Sequence, residues 1–501
     1  MVCMVDVCDD HGMRRSPHRL TVVEHRVRAG FFTGSEIDLS GRPAAVRASL
    51  LADLLSRPVD RTVHPRAALR LRGATVTGRL DVAHADVAVP VHMRDCRFDG
   101  PVDVSGARLT SLHLIGCRLP GLQGRLVDVR GDVRCEESVI AGPVDLRDAR
   151  VGGDLDLDRA QVRNPGGNAI AAARLVVGGS LRGVGLHADG ELWLGGAQVG
   201  GNLLLDGAVL NNPSGRAIGA DRLCVGGNLR AGAGFTAEGD LLLIHLEVGG
   251  QLWFVDATLH SPDRWALHLG GSSASSAWLC FRKAPVGRVR LSGLRVDTLF
   301  DDPQVWPAAL DLVGCTYRLL VSRRFDASSG EPAGLLTLNV RQRLEWLRRS
   351  PDGYTPQPYE QLAEAYRRDG QDAEARRVLL EKQRRRRATL PWPGRLAGYV
   401  LDGLVGYGYR TWLAGLWLLG CWAAGTAAFT AWPPPASNPA EAPERNPALY
   451  ALDLLLPIID LGHDTAWKPT GATQYIAAAL VVMGWTLTTA VVAGLTRLVN
   501  R

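Results

Sequence analysis

The sequence predicts a mainly β fold, a β-solenoid (β-helix) of about 22 residues per coil, with an N-terminal helical cap, a C-terminal helical hairpin and two transmembrane helices. Three observations predict it. A unit of 11 residues recurs from Ala74, two long stretches near the C-terminus carry no charge, and 57 of 501 residues are glycine while aromatics make up 6%. Such a composition favours thin repeated strands over a bulky core. The chain also exceeds the ~250–300 residues at which a single core stops growing.

The elements follow in order. Residues 1–18 read as a disordered leader without the basic, apolar and small-residue pattern of a signal peptide, so the front of the chain is expected in the cytoplasm. Residues 19–70 form the cap. Within it Ala44 to Leu55 places Val46, Leu50, Leu51 and Leu54 at helical spacing ahead of Pro58, and this helix is expected to cover the open first coil.

The solenoid is expected over 71–340. Each unit has a small residue first, apolar residues at +2, +6 and +8, and often glycine at +4, as in Ala74, Val76, Gly78, Leu80 and Val82, or Ala197, Val199, Gly201, Leu203 and Leu205. Alternation with period two puts one set of side chains on one face of an extended strand, and the small residue is expected to allow a tight corner. One strand cannot bury that face, but stacked copies bury all of them in one column. Insertions at Asn164 to Gly167 and at Asn212 to Gly215 lie four units apart, so two units per coil are expected, with roughly eight coils and about 40 Å of solenoid. The rhythm resembles the pentapeptide-repeat solenoids, with a period of 11 in place of five. Cys96, Cys117 and Cys135 fall at inward positions, as small hydrophobes.

Beyond the repeat, 341–390 reads as two helices joined at Gly370, similar to one tetratricopeptide-style hairpin that serves as a linker. Segment 391–411 is expected to lie along a membrane interface. Segment 412–498 is expected to be a two-helix anchor with an extracytoplasmic loop at 433–475. Its spans, Trp412 to Trp432 and Ile476 to Leu495, are each long enough for a ~30 Å hydrocarbon core. Arg395, Arg410, Arg497 and Arg501 flank them, whereas the loop carries Arg445 and Lys468 against Glu441, Glu444, Asp453, Asp460 and Asp464. The bias toward positive charge inside puts both termini in the cytoplasm of a plasma-membrane protein. Arg384, Arg385, Arg386, Arg387, Arg395 and Arg410 are the candidate contacts to anionic lipid.

Several stretches carry a more specific likeness. They are Trp306-Pro307, Arg343 to Leu347, Tyr354 to Leu362, the R-R-D-G and E-A-R-R of the hairpin, Gly406 to Arg410, Leu452 to Gly462 and Gly484 to Arg497. With the repeats they resemble a family of actinobacterial membrane proteins labelled membrane-associated oxidoreductases or pentapeptide-repeat membrane proteins. The resemblance implies a membrane-bound repeat protein, and by its label an oxidoreductase. It brings no catalytic residue set.

The chemistry visible in the residues is sparse. There is no G-x-G-x-x-G opening a helix, no C-x-x-C-H and no four-cysteine cluster, so no cofactor is expected. The +6 net charge is spread along the chain, which argues against nucleic acid as a partner. His92 and His113 stand 21 residues apart, about one coil. The outward +7 position is asymmetric. Early units place Asp81, Asp103 and Asp145 there, and later units place Trp193, Leu204, Leu242 and Trp253. Exposed apolar residues in a polar register predict a contact surface for a protein partner or for self-association, framed by insertion loops on neighbouring coils around Asn164 and Asn212. The expected role is a membrane-anchored scaffold, sensor or interaction platform. A membrane-associated oxidoreductase and a small two-span channel are the alternatives.

Overall fold

The computed structural model describes residues 20–499 apart from 42–43, 61, 327–330, 410–411, 439–443 and 457–460. The leader 1–18, Arg410 and the loop residues Glu441 and Asp460 therefore lie outside the described residues. The chain divides into two compact units, Met1–Thr337 and Leu338–Arg501.

The first unit is a parallel solenoid in which every 11-residue unit bends once, so each coil has four sides. In the coil that begins at Ala85 they are Asp86–Val87, Val91–Arg94, Arg97–Phe98 and Val102–Asp103. The coil strands pair in parallel with their equivalents one coil away, as in Thr75↔Arg97 and Val91↔Leu112, and the last of them, Thr316–Asp326, also pairs antiparallel with Glu331–Leu336. These offsets of 22 and 21 residues bear out the coil size. One side runs through twelve successive pairings, from Ile37–Asp38 to Thr316–Asp326. The expected eight coils are thus corrected to about twelve turns, about 58 Å at ~4.8 Å per turn.

The inward positions are those the pattern gives: Ala74, Val76, Leu80 and Val82 are all buried. The corner is made differently from the expectation. At every unit start the residue before the small one has positive φ, for example Gly73, His84, Asp95, Gly106, Leu126 and Arg159. That left-handed residue turns the chain, at a cost of roughly 1–2 kcal/mol where it is not glycine. The small residue is then driven into the interior of the corner, where Ala107, Cys117, Ala149 and Ala160 are fully enclosed. Cys96, Cys117 and Cys135 belong to this buried set, and burial pushes the Cys135 thiol up to about 12.

The cap joins the sheet earlier than expected. Ile37–Asp38 pairs with the Leu69–Arg72 strand, and Ala45–Arg47, expected to be helical, is a strand on Thr75–Thr77. Helix α1 (Val22–Thr33) precedes it and helix α2 (Ala48–Ser56) follows, burying Ala48, Leu51, Leu54 and Leu55. Glu24 of α1 is buried and accepts from Arg47 Nε at 2.7 Å and Nη2 at 2.8 Å. These bonds hold its carboxyl down at about 2.

The second unit is helical. Helix α3 (Val340–Leu347) precedes the hairpin of α4 (Gln357–Arg368) and α5 (Asp372–Thr389), which turns at Gly370 with φ +73°. Helices α6 (Trp392–Val405), α7 (Trp412–Ala431), α8 (Pro447–Leu455) and α9 (Ala472–Val499) follow. Helices α7 and α9 run antiparallel: Phe429 meets Ala477 and Leu480, while Ala414 meets Leu487. Two spans are expected, and among the described residues α7 alone is long and apolar enough to cross a membrane. In the described part of α9 the polar Thr473, Gln474, Thr486, Thr488 and Thr489 dilute the apolar run. The side chains of 490–491 and 493–499 lie outside the description.

Candidate functional site: the arched face of the solenoid

Parallel stacking sorts the outward +7 side chains into two columns. The first reads Asp81, Asp103, Gln123, Asp145, Ala171, Trp193, Gly219, Leu242, His268, Arg290 and Asp311. The second includes Asp156, Arg182, Leu204, Arg230, Trp253, Trp278 and Phe300. The early aspartates therefore share one side, as expected. The single apolar surface is corrected: Trp193 and Leu242 stand on the first column, Leu204 and Trp253 on the second, because successive units alternate sides. All four are half-buried.

The second column closes on itself. Trp253 packs on Trp278 with ring centres 4.7 Å apart, and Trp278 stacks on Phe300 at 3.6 Å and 11°. Arg230 covers the free face of Trp253 at 5.5 Å, and Arg323 lies near Trp278 and Phe300 at 5.8 and 6.0 Å. The ring faces that a ligand would use are taken by one another and by guanidinium groups, so this ladder serves stability. Leu204 sits between Arg182 and Arg230 in the same column.

The first column is where the insertions project. Asn164–Gly167 arches out between Arg163 and Asn168, which pair with Asp189 and Glu191 on the next coil. The arch is closed by Asn164 Nδ2 donating to the Asn168 carbonyl at 2.8 Å, and the equivalent bond from Asn212 to Arg216 is 2.7 Å. Beneath each arch stands a glycine with positive φ, Gly190 at +124° and Gly239 at +119°. A Cβ there would lie 2.5 Å from the Asn164 carbonyl oxygen or 2.4 Å from that of Asn212. A third arch, absent from the sequence expectation, spans Ser261 to Arg264 above Gly287 at φ +121°. Arches occupy alternate coils with a plain strand between, which corrects the expectation of neighbouring coils.

The arches organise the side chains around them. Under the first is a concavity of ≈ 730 Å³, bordered by Gln123, Arg125, Asp145, Arg147, Asn164 and Asn168. Asp145 is bound by Arg147 at 2.5 Å, and although burial opposes it, hydrogen bonding keeps its carboxyl below the usual range. Trp193 lies beside Gly219, where a Cβ would come within 3.5 Å of its Cδ1 and 2.2 Å of Glu191 Oε1. Burial raises the Glu191 carboxyl, and Arg216 stands 3.7 Å from it. Asp240 is buried, accepts from the Ser261 hydroxyl at 2.5 Å and pairs with Arg264 at 2.8 Å. Arg264 also donates to the Ser214 carbonyl at 2.9 Å and so ties the third arch to the second. Trp265 takes Arg290 over its ring at 4.3 Å. Charged rims, half-buried aromatics and fixed backbone loops suit a recognition surface. Asp145 and Asp240 are engaged by arginine or hydroxyl donors, whereas the buried Glu191 Oε1 has no hydrogen-bond partner among the described residues.

The candidate lipid contacts fall on the helical unit. Arg384 and Arg387 both bind Asp402, at 3.0 and 3.2 Å, and Arg387 covers Tyr399 at 3.9 Å. Arg385 pairs with Glu381 at 3.3 Å and Arg395 donates to the Leu390 carbonyl at 2.7 Å, while Arg386 is exposed. The run therefore fastens α5 to α6. Within the segment expected along an interface, α6 carries an apolar stripe, where Trp392, Leu396, Tyr399 and Val400 are exposed at spacings of four, three and one. No protein-family model, curated protein or solved structure matches this chain.

Proposed function

We propose that the chain is a membrane-anchored solenoid that presents its arched face to a protein partner. The observation that carries the reading is the apolar perimeter of the α7–α9 pair. Leu416, Leu419 and Val482 are exposed along it. Trp412 and Trp417 stand at one end, Trp432 and Tyr475 at the other, with Tyr475 80% exposed. Aromatic rings at both ends of an apolar stretch match the two interfaces of a bilayer. Because α9 packs antiparallel along α7, a crossing by α7 carries α9 with it as a second crossing, while the α6 stripe lies in the interface. The arginines flanking the spans and the acidic loop support a cytoplasmic position for both termini, and with them for the solenoid. The test is extraction of cell membranes with alkaline carbonate. The chain is expected in the pellet, and its release to the supernatant contradicts the reading.

One observation favours a second reading, a two-span pore subunit. Helix α8 wedges between α7 and α9, with Tyr450, Ala451 and Leu455 packed on Phe429, Ala477 and Leu480. Gly484 admits the Leu455 carbonyl, which a Cβ would meet at 2.1 Å. The chain returns with Asp453 accepting from the backbone N–H of Leu461, His463 and Asp464 at 2.7, 2.7 and 2.8 Å. A short helix ending part-way along two spans is a pore-loop plan. Single-channel steps in a planar bilayer support it, and a silent bilayer at high protein load opposes it.

A further inference from the structure

Near the start of the second column the side chains read Arg70, His92, His113 and Arg134, one per coil. His113 Nδ1 and His92 Nδ1 lie within hydrogen-bond distance at 3.2 Å, with ring centres at 4.3 Å. His113 Nε2 is enclosed and has no hydrogen-bond partner. The pair floors a recess of ≈ 240 Å³ whose other polar lining is Arg70, Arg94 and the carboxylate of Glu36. At about 30 Å³ per water, this holds a small ion with several waters.

The charge pattern selects the ion. Further along the column arginines are matched by carboxylates, Arg182 by Asp156 at 3.3 Å and Arg230 by Asp206 at 2.9 Å. At the recess Arg134 is held by Glu136, but Arg70 and Arg94 are exposed and have no ion pair to a carboxylate among the described residues. A metal cation is disfavoured among Arg70, Arg94 and Arg134. An anion meets two fork-shaped guanidinium groups beside the His92 imidazole, a donor set that suits a tetrahedral oxyanion.

We propose that the recess formed by Arg70, His92, Arg94 and His113 binds a dissolved tetrahedral oxyanion of the phosphate or sulfate class. The neighbourhood makes the binding proton-linked. The His92 imidazole is pushed down to about 4 by burial and then by His113, Arg70, Arg134 and Arg94. His113 is lowered by burial and by Arg134, against the opposing pull of Asp132 and Glu136. A bound dianion raises both, so affinity increases as pH falls, while Glu36 competes with the ligand for the same guanidinium groups.

The test is calorimetric titration of the full chain in phosphatidylcholine nanodiscs with inorganic sulfate, which stays dianionic from pH 8 to 5.5. Saturable binding that tightens about tenfold over that range is expected, as one added charge-assisted hydrogen bond gives. Arg70→Gln with Arg94→Gln should weaken it at least about tenfold, Glu36→Gln should tighten it, and His92→Gln with His113→Gln should abolish the pH dependence. Phosphatidate nanodiscs separate the sources: a dissolved ion binds alike in both discs, whereas loss of sulfate binding in phosphatidate discs identifies a headgroup occupant and overturns the dissolved-ion assignment. Absence of saturable binding by the wild-type chain at either pH, unchanged binding in the double arginine variant, or zinc binding that sulfate does not affect would also overturn the proposal.

Discussion

Gly239→Ala is the most informative single change in the solenoid, because it probes the arch above it through one methyl group. At φ +119° an L side chain is strained by about 1–3 kcal/mol. The added Cβ would also sit 2.4 Å from the Asn212 carbonyl oxygen, 2.9 Å from that of Gly215 and 3.1 Å from the Ala217 nitrogen. Backbone hems it in on these sides, so no flexible side chain can yield, and the arch must lift by several tenths of an ångström. Adding the lost Asn212 to Arg216 bond at about 1 kcal/mol, the total is about 2–4 kcal/mol. Gly166→Ala is the control, since Gly166 also has positive φ (+77°) but no atom lies within 4 Å of its Cβ position. It should cost only about 1–2 kcal/mol. Thermal unfolding in detergent measures both, and amide exchange over Asn211 to Ala217 shows where the loss falls. Equal melting shifts for the two variants would refute the view that the arches rest on the glycines below them.

Three further outcomes are expected. Leu205 points inward and its neighbour Leu204 outward, so Leu205→Ala should destabilise by about 2–5 kcal/mol and Leu204→Ala by less than about 1, read by denaturant unfolding. The Glu24 carboxyl is held at about 2 against an ordinary 4.5, so its contribution is complete above pH 4.5 and is lost as pH falls through 2. That is on the order of 3 kcal/mol, visible as faster amide exchange in α1 on acidification, and Arg47→Met should remove the pH dependence by leaving the carboxyl without its partner. Trp253→Ser breaks the aromatic ladder and should cost about 1 kcal/mol more than Trp193→Ser, which leaves the ladder intact.

Much of the solenoid was legible because period-two alternation and a buried small residue are dictated by the coil itself. The corners were not, since the positive-φ position is filled by glycine, aspartate, histidine, arginine and even Leu126, a set with no common side chain. Beyond Ala257 the strands lengthen to seven residues, as in Ser273–Leu279 and Arg295–Asp301, so the 11-residue marker fades and the sequence shows the further coils only as weak β segments from Val286 to Leu320. The side assignment of the tryptophans was legible after all. The units starting at 186 and 246 are five apart, an odd number, which puts Trp193 and Trp253 on different columns. Helix α8 and the third arch left no periodic trace, because a single short helix and a single insertion have nothing to repeat.

The account as a whole turns on whether the helical unit enters a bilayer. Flotation of the purified chain with liposomes through a density gradient at pH 11 tests this, alongside a variant carrying Leu416→Arg and Leu419→Arg on the exposed side of α7. Each arginine costs about 2.5–3.5 kcal/mol at the centre of a span. The chain is predicted to float with the vesicles and the variant to stay at the bottom of the gradient; a wild-type chain that stays at the bottom, or a variant that floats equally well, would contradict a membrane-anchored solenoid.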